Sequence, residues 1–142
     1  MKTRLLCALC ALFPLSLLAA KVHKITPITT DKDIRIEVML SAEANESLSL
    51  DAVITHARNK AILCNHSGEF YFNKVDTTVV WKIDQLTPEL WSPVNPALYD
   101  LEVKAGTETF HKRIGFRKFE MWDGVFYLND KPIYLRGNAI NP

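Results

Sequence analysis

Residues 90–137 read LWSPVNPALYDLEVKAGTETFHKRIGFRKFEMWDGVFYLNDKPIYLRG, and this stretch decides the fold. Its first part, Trp91-Ser92-Pro93 with Asn95-Pro96, is a corner that cannot continue a helix or a central strand. A strand follows over Leu98–Lys104, with Leu101 and Val103 on one face. The chain turns at Gly106 into a second strand, expected over Thr107–Phe119. Asp123-Gly124 is a turn dipeptide that opens a last hairpin, Val125–Leu135. Tyr99 stands at the head of the first strand, just after the corner. Its hydroxyl is in position to bond back to a backbone group in that corner, as a tyrosine corner does, with packing by the ring alone as the competing reading.

Upstream, the same pattern repeats. Val22–Pro27 reads as an edge strand ended by Pro27. Ile34, Ile36, Val38 and Leu40 alternate with polar or exposed positions, and so do Leu48, Leu50, Ala52 and Ile54. Ala61–Cys64 and Phe70–Phe72 read as two short runs on either side of a Ser67-Gly68 turn. Val79, Trp81 and Ile83 alternate again, while Leu86–Trp91 is the one place for a single helical turn. About seven short strands with turn signals every ~8–12 residues predict an all-β chain, an immunoglobulin-like β-sandwich, within residues 21–122.

The 142 residues give room for one domain, and 48% of them are hydrophobic, enough for a packed core. Charge is balanced at +1 with no basic block, which argues against nucleic acid as a partner. Residues 1–20 read as a secretory signal peptide: Lys2 and Arg4 form a positive head, Leu5–Leu18 is apolar, and Ala19-Ala20 is the small-residue exit. A membrane anchor is the competing reading, but the apolar run is short for a span and Pro14 interrupts it. The expected mature chain is therefore secreted or periplasmic and free of the membrane. It keeps fifteen basic and sixteen acidic residues and a single cysteine, Cys64, so no internal disulfide is expected. Cys64 reads as a small packed hydrophobe. Asn45-Glu46-Ser47 and Asn65-His66-Ser67 match the glycosylation sequon and matter only in a host that glycosylates.

Chemistry-bearing motifs are sparse. His23, His56, His66 and His111 are scattered, and Cys64 with His66 makes at most two ligands, so no metal is expected. No phosphate loop, nucleophile elbow or cysteine pair is present, and no cofactor is expected. Phe116, Phe119, Trp122, Phe126 and Tyr127 have the make-up of a sugar-stacking platform, but packing between domains is the better reading.

The C-terminal third resembles glycoside hydrolase family 2, the family of β-galactosidases, β-glucuronidases and β-mannosidases. The likeness rests on Leu90-Trp91-Ser92-Pro93, Asn95-Pro96, Leu98-Tyr99, Leu101, Val103, Ile114-Gly115-Phe116-Arg117 and Glu120. It runs on through Asp123-Gly124, Phe126-Tyr127-Leu128-Asn129 and Lys131-Pro132 to Leu135-Arg136-Gly137. The resemblance implies a sandwich lying between a jelly-roll domain and a (β/α)8 barrel. Residues 123–142 would then be a hairpin and the first strand of a barrel that stops almost at once, with no jelly-roll before Lys21. Asp130 stands where the family often has glycine, and aspartate tolerates the left-handed turn this needs. No histidine follows Arg136-Gly137, and Asn141 takes its place.

The implied function is a piece of a secreted glycosidase that hydrolyses O-glycosyl bonds of β-linked sugars. The pair of carboxyl groups a retaining mechanism needs, ~5–5.5 Å apart, would lie beyond Pro142, so no catalytic residue is assigned. Arg136, Asn138 and Asn141 are the candidate substrate-binding residues, and only in a complete barrel. A structural arginine paired with an acid is the competing reading for Arg136. The rival function is a freestanding exported sandwich used for binding or for protein contacts. It is disfavoured because Phe126, Tyr127, Ile133 and Tyr134 would then form an exposed, aggregation-prone edge.

Overall fold

A computed structural model describes residues 20–42, 46–72 and 77–137. The predicted leader, apart from Ala20, lies outside the described residues, as do Asn45, Asn138 and Asn141. The described residues form ten β-strands and no helix: β1 (Lys21–Thr29), β2 (Ile34–Ser41), β3 (Glu46–His56), β4 (Ile62–Phe72), β5 (Thr77–Ile83), β6 (Tyr99–Ala105), β7 (Glu108–Ile114), β8 (Phe119–Trp122), β9 (Val125–Leu128) and β10 (Lys131–Ile133). The first seven make two antiparallel sheets, a three-stranded one in the order β1-β2-β5 and a four-stranded one in the order β4-β3-β6-β7.

The sheets pack through the faces that alternation marks. Ile34, Ile36, Val38 and Leu40 of β2 are fully buried, as are Leu50, Ala52 and Ile54 of β3. Val79, Trp81 and Ile83 of β5 and Tyr99, Leu101, Val103 and Ala105 of β6 complete the two inner faces, and Ile114 and Phe116 close one end. Side chains two apart share a face of a strand, so one residue in two reaches the core and its neighbour reaches water. The all-β immunoglobulin-like sandwich read from the sequence is the fold observed.

Four local expectations are corrected. Pro27 does not end β1: it pairs opposite Ile36, and the strand runs on to Thr29. This is tolerated because β1 is an edge strand, the place in a sheet where proline is accommodated. A bulge between Val22 and Lys24 resets the alternation, which is why Val22 and Ile25, three apart, are both buried. The two short runs around Ser67-Gly68 are one strand, β4, paired with β3 along its length. Gly68 is there for space and not for a turn, since a Cβ on it would meet Phe70 Cε2 at 2.9 Å and Trp81 Cε2 at 3.5 Å. The single strand expected over Thr107–Phe119 stops at Ile114, and Phe119 belongs to β8. Leu86–Trp91 carries no helical turn and runs as an irregular corner.

The last three strands form a separate small sheet in the order β10-β9-β8. It draws β8 from before the 122/123 boundary and β9 and β10 from after it, because β8 pairs with β9 across Asp123-Gly124. β9 turns into β10 through Asn129-Asp130. Both connections have two central residues at positive φ: 49° and 72° at Asp123 and Gly124, 52° and 63° at Asn129 and Asp130. That is the type I′ geometry whose twist matches two-residue hairpins.

Candidate functional site

The small sheet and the corner residues meet at one end of the sandwich, and this junction is the candidate functional site. Asn129 ties it together. Its backbone N–H donates to Lys118 O at 2.8 Å, and its side-chain Oδ1 accepts from Lys118 N–H at 3.0 Å. Its Nδ2 donates to Trp91 O at 3.0 Å. Trp91 N–H in turn donates to Phe116 O at 2.7 Å. Arg117 N–H donates to Thr30 O at 3.1 Å, and Thr29 Oγ1 donates to Gly115 O at 2.8 Å. The segment between β7 and β8 is thus held by backbone partners on β1, the corner and the hairpin.

Between corner and hairpin lies an apolar trough of about 490 Å³, lined by Trp91, Pro93, Arg117, Phe119, Leu128, Ile133 and Leu135. The Arg117 guanidinium sits 5.9 Å from the centre of the Trp91 ring, a cation–π arrangement. Strand register puts Phe119 opposite Leu128, and Phe126 between Met121 and Ile133, on one face of the sheet. The other face carries Glu120, Trp122, Val125, Tyr127 and Pro132. Phe119 stacks on Phe126 and Trp122 on Tyr127, each pair 5.7 Å apart between ring centres. Met121 and Trp122 are 64% exposed, Leu135 59% and Tyr134 90%. An apolar surface of this size on both faces of one small sheet marks a contact surface.

Besides Arg117 in the trough, charge at the junction gathers around Lys118. Lys118 Nζ reaches Asp130 at 2.7 Å and Glu120 at 3.2 Å, and these two carboxylates raise its pKa above the ordinary lysine value, Asp130 most. Asp130 at φ 63° keeps the turn that a glycine would otherwise make, as expected from the sequence.

A second polar cluster braces the corner. The Tyr99 hydroxyl accepts the Glu89 N–H at 2.7 Å, which decides between the two readings of Tyr99 in favour of the bond to the corner. Glu89 Oε1 accepts from Asn95 Nδ2 at 2.7 Å, and Oε2 lies 3.4 Å from His56 Nε2. The Asn95 hydrogen bond, then His56, hold the Glu89 carboxyl below the usual range. Asp100 is held low by Lys60 and Arg113. A carboxyl stabilised as its anion is a poor proton donor, so neither acid has the environment of a general acid. Cys64 is half-buried against the core, and burial raises its thiol pKa. Among the described residues no three His, Cys, Asp or Glu side chains gather to hold a metal ion.

Of the predicted substrate-binding residues, the structure describes only Arg136. It is exposed and joined to no described residue by a hydrogen bond or ion pair. Its neighbour Leu135 forms part of the trough wall, and Arg136 does not. Trp91, Arg117 and Asn129 build the junction, and the sequence reading gave none of them a role. The signal was available, since all three fall within the motifs that carried the resemblance.

The model of the family described as glycosyl hydrolases family 2 matches residues 20–117. A β-galactosidase from Actinobacillus pleuropneumoniae is 35% identical over 75 residues, 53% of this chain and 7% of the relative. A β-galactosidase from Staphylococcus xylosus is 30% identical over 109 residues, 74% of this chain and 11% of the relative. The chain thus spans about a tenth of the length of these relatives. Among solved structures, a glycosyl hydrolase family 2 member from Bacteroides cellulosilyticus superposes with a TM-score of 0.69 at 21% identity. That match covers 85% of this chain and 19% of the other, and it establishes a shared fold.

Proposed function

This chain belongs to glycosyl hydrolases family 2, and from that premise we propose that it is the sandwich part of a larger secreted enzyme that hydrolyses β-linked sugars. In this reading the sandwich does no chemistry. It presents the small sheet to a catalytic barrel that lies outside the chain, and the barrel binds the carbohydrate. Arg136, Asn138 and Asn141 belong to the barrel's first strand, near its substrate. The observation that carries the reading is the junction itself. A small sheet with Met121 and Trp122 exposed, followed by exposed Tyr134 and Leu135 and lying beside an apolar trough, is built to be covered. The share of its relatives that the chain spans points the same way.

Two measurements test the proposal. The purified chain is incubated with nitrophenyl β-galactoside, β-glucuronide and β-mannoside, and no nitrophenol is expected; release by the chain itself would sink the reading. The native secreted protein is also weighed intact after capture with an antibody to the sandwich. A mass several times that of this chain is expected. A mass equal to the processed chain would favour a freestanding exported module used for binding.

A further inference from the structure

The sandwich has four sheet edges, β1 and β5 on one sheet and β4 and β7 on the other. Three carry the features that keep an edge from pairing with another chain, namely charge, proline, a bulge or shortness. β1 has Lys21, Lys24, Pro27 and a bulge. β7 has Lys112 and Arg113. β5 is seven residues long, and its Lys82 pairs with Asp33 and Asp84.

β4 differs. It is eleven residues long, ILCNHSGEFYF, with no lysine, arginine or proline. It pairs with β3 on one side, and among the described residues no strand pairs with its other side. Its register irregularity lies at the Ile62 end, where Ile62 and Cys64 face consecutive residues of β3. From Cys64 to Phe72 the edge is regular. Glu69 is its only carboxylate. Ile62 and Tyr71, near its two ends, are 67% and 79% exposed. Beneath it, His66 stacks on Trp81 and Phe70 meets Trp81 edge-on, so the edge is already braced from the core side.

We infer that the free edge of β4 pairs with β4 of a second copy of this chain, joining the two four-stranded sheets into one antiparallel sheet. A two-fold axis at Ser67 overlaps all eleven residues. It sets Glu69 opposite Asn65 of the copy, His66 opposite Gly68 and Cys64 opposite Phe70. The one carboxylate on each strand therefore meets an amide and not another carboxylate, so the strand is compatible with itself in charge. Tyr71 and Ile62 gain cross-strand neighbours on the side that faces the free edge. The inference does not depend on the glycosidase reading.

The test is sedimentation velocity on the full chain across the micromolar range, with Ser67→Lys and Trp122→Lys beside it. Ser67 is exposed, and its hydroxyl donates to Asp51 opposite it on β3, a carboxylate that a lysine there can pair with. The monomer therefore tolerates the change, yet at the axis the lysine meets its own copy. The expected result is a dimer that Ser67→Lys weakens about tenfold or more and Trp122→Lys leaves intact. A chain monomeric throughout, a dimer indifferent to Ser67→Lys, or one dissolved by Trp122→Lys overturns the inference; the last would place association on the small sheet. If Ser67→Lys fails to fold, amide exchange of the unaltered chain decides. Protection of β4 amides that rises with protein concentration supports the pairing, and protection independent of concentration refutes it.

Discussion

Asn129 concentrates more of this fold in one side chain than any residue of the core. It holds φ 52°, donates to Trp91 O and accepts from Lys118 N–H, so it ties hairpin, corner and the β7–β8 segment together. Replacing it with alanine removes both side-chain bonds and leaves a Cβ residue in the left-handed region without compensation. Asn129→Ala is expected to cost about 2–3 kcal/mol in urea unfolding. Asp130→Gly should move stability the other way, by about 0.5–1 kcal/mol, because glycine adopts its φ freely and the exposed Lys118 pair is worth little. A loss of stability in Asp130→Gly would show that the pair outweighs the backbone strain. Tyr99 is the third case. Tyr99→Phe leaves the ring in the core but strands the Glu89 N–H, and a loss of about 1 kcal/mol is expected. An unchanged melting temperature would reduce Tyr99 to its ring. The Tyr99 bond was half legible: a tyrosine entering a strand after prolines can send its hydroxyl back to the corner, but ring packing alone fits the same residues. That Glu89 supplies the donor was not legible, since the corner between them has no regular period.

Among the elements, the strands that alternate are legible almost to the residue, and those that do not, β4 and β8, are not. β2, β3, β5 and β6 each bury every second residue, so period two is printed in their composition. β4 is an edge exposed at Ile62 and buried at Phe72, its alternation is blurred, and its Ser67-Gly68 pair has the chemistry of a turn. β8 is exposed at all four positions, so no burial pattern could mark it as distinct from β7. The corner also has a pH signature. Glu89 and Asp100 have folded pKa values below their unfolded ones, Glu89 through Asn95 first and Asp100 through Lys60 first. Such groups add stability that is complete above the ordinary carboxylate range and is lost as pH falls through it toward the folded values. The melting temperature should therefore be flat near neutral pH and drop in acid. The Glu89→Gln, Asp100→Asn double variant should have a shallower acid limb. Glu89 is exposed and Asp100 partly so, and solvent screens both, so the difference is small and the slope is the quantity to read. An acid limb of unchanged slope would mean that other carboxylates govern it.

For the whole molecule, the question is whether the small sheet helps the sandwich or depends on it. The sandwich core is complete without β8–β10: its buried residues end at Phe116, and of the small sheet only Leu128 is buried. The small sheet has no core of its own, and three short strands without a covered face are marginal in water. Its apolar side chains are therefore a liability in the isolated chain and an asset only under a partner. A chain ending at Lys118 loses the three Asn129 bonds but also sheds exposed Phe119, Met121, Trp122, Tyr134 and Leu135. It should melt somewhat lower than the full chain and yet leave a larger fraction in the supernatant after expression and centrifugation. Those two effects have opposite signs, which makes the comparison sharp. A shortened chain that melts lower and is no more soluble would mean that the small sheet is part of the sandwich's own stability and not a surface waiting for a barrel.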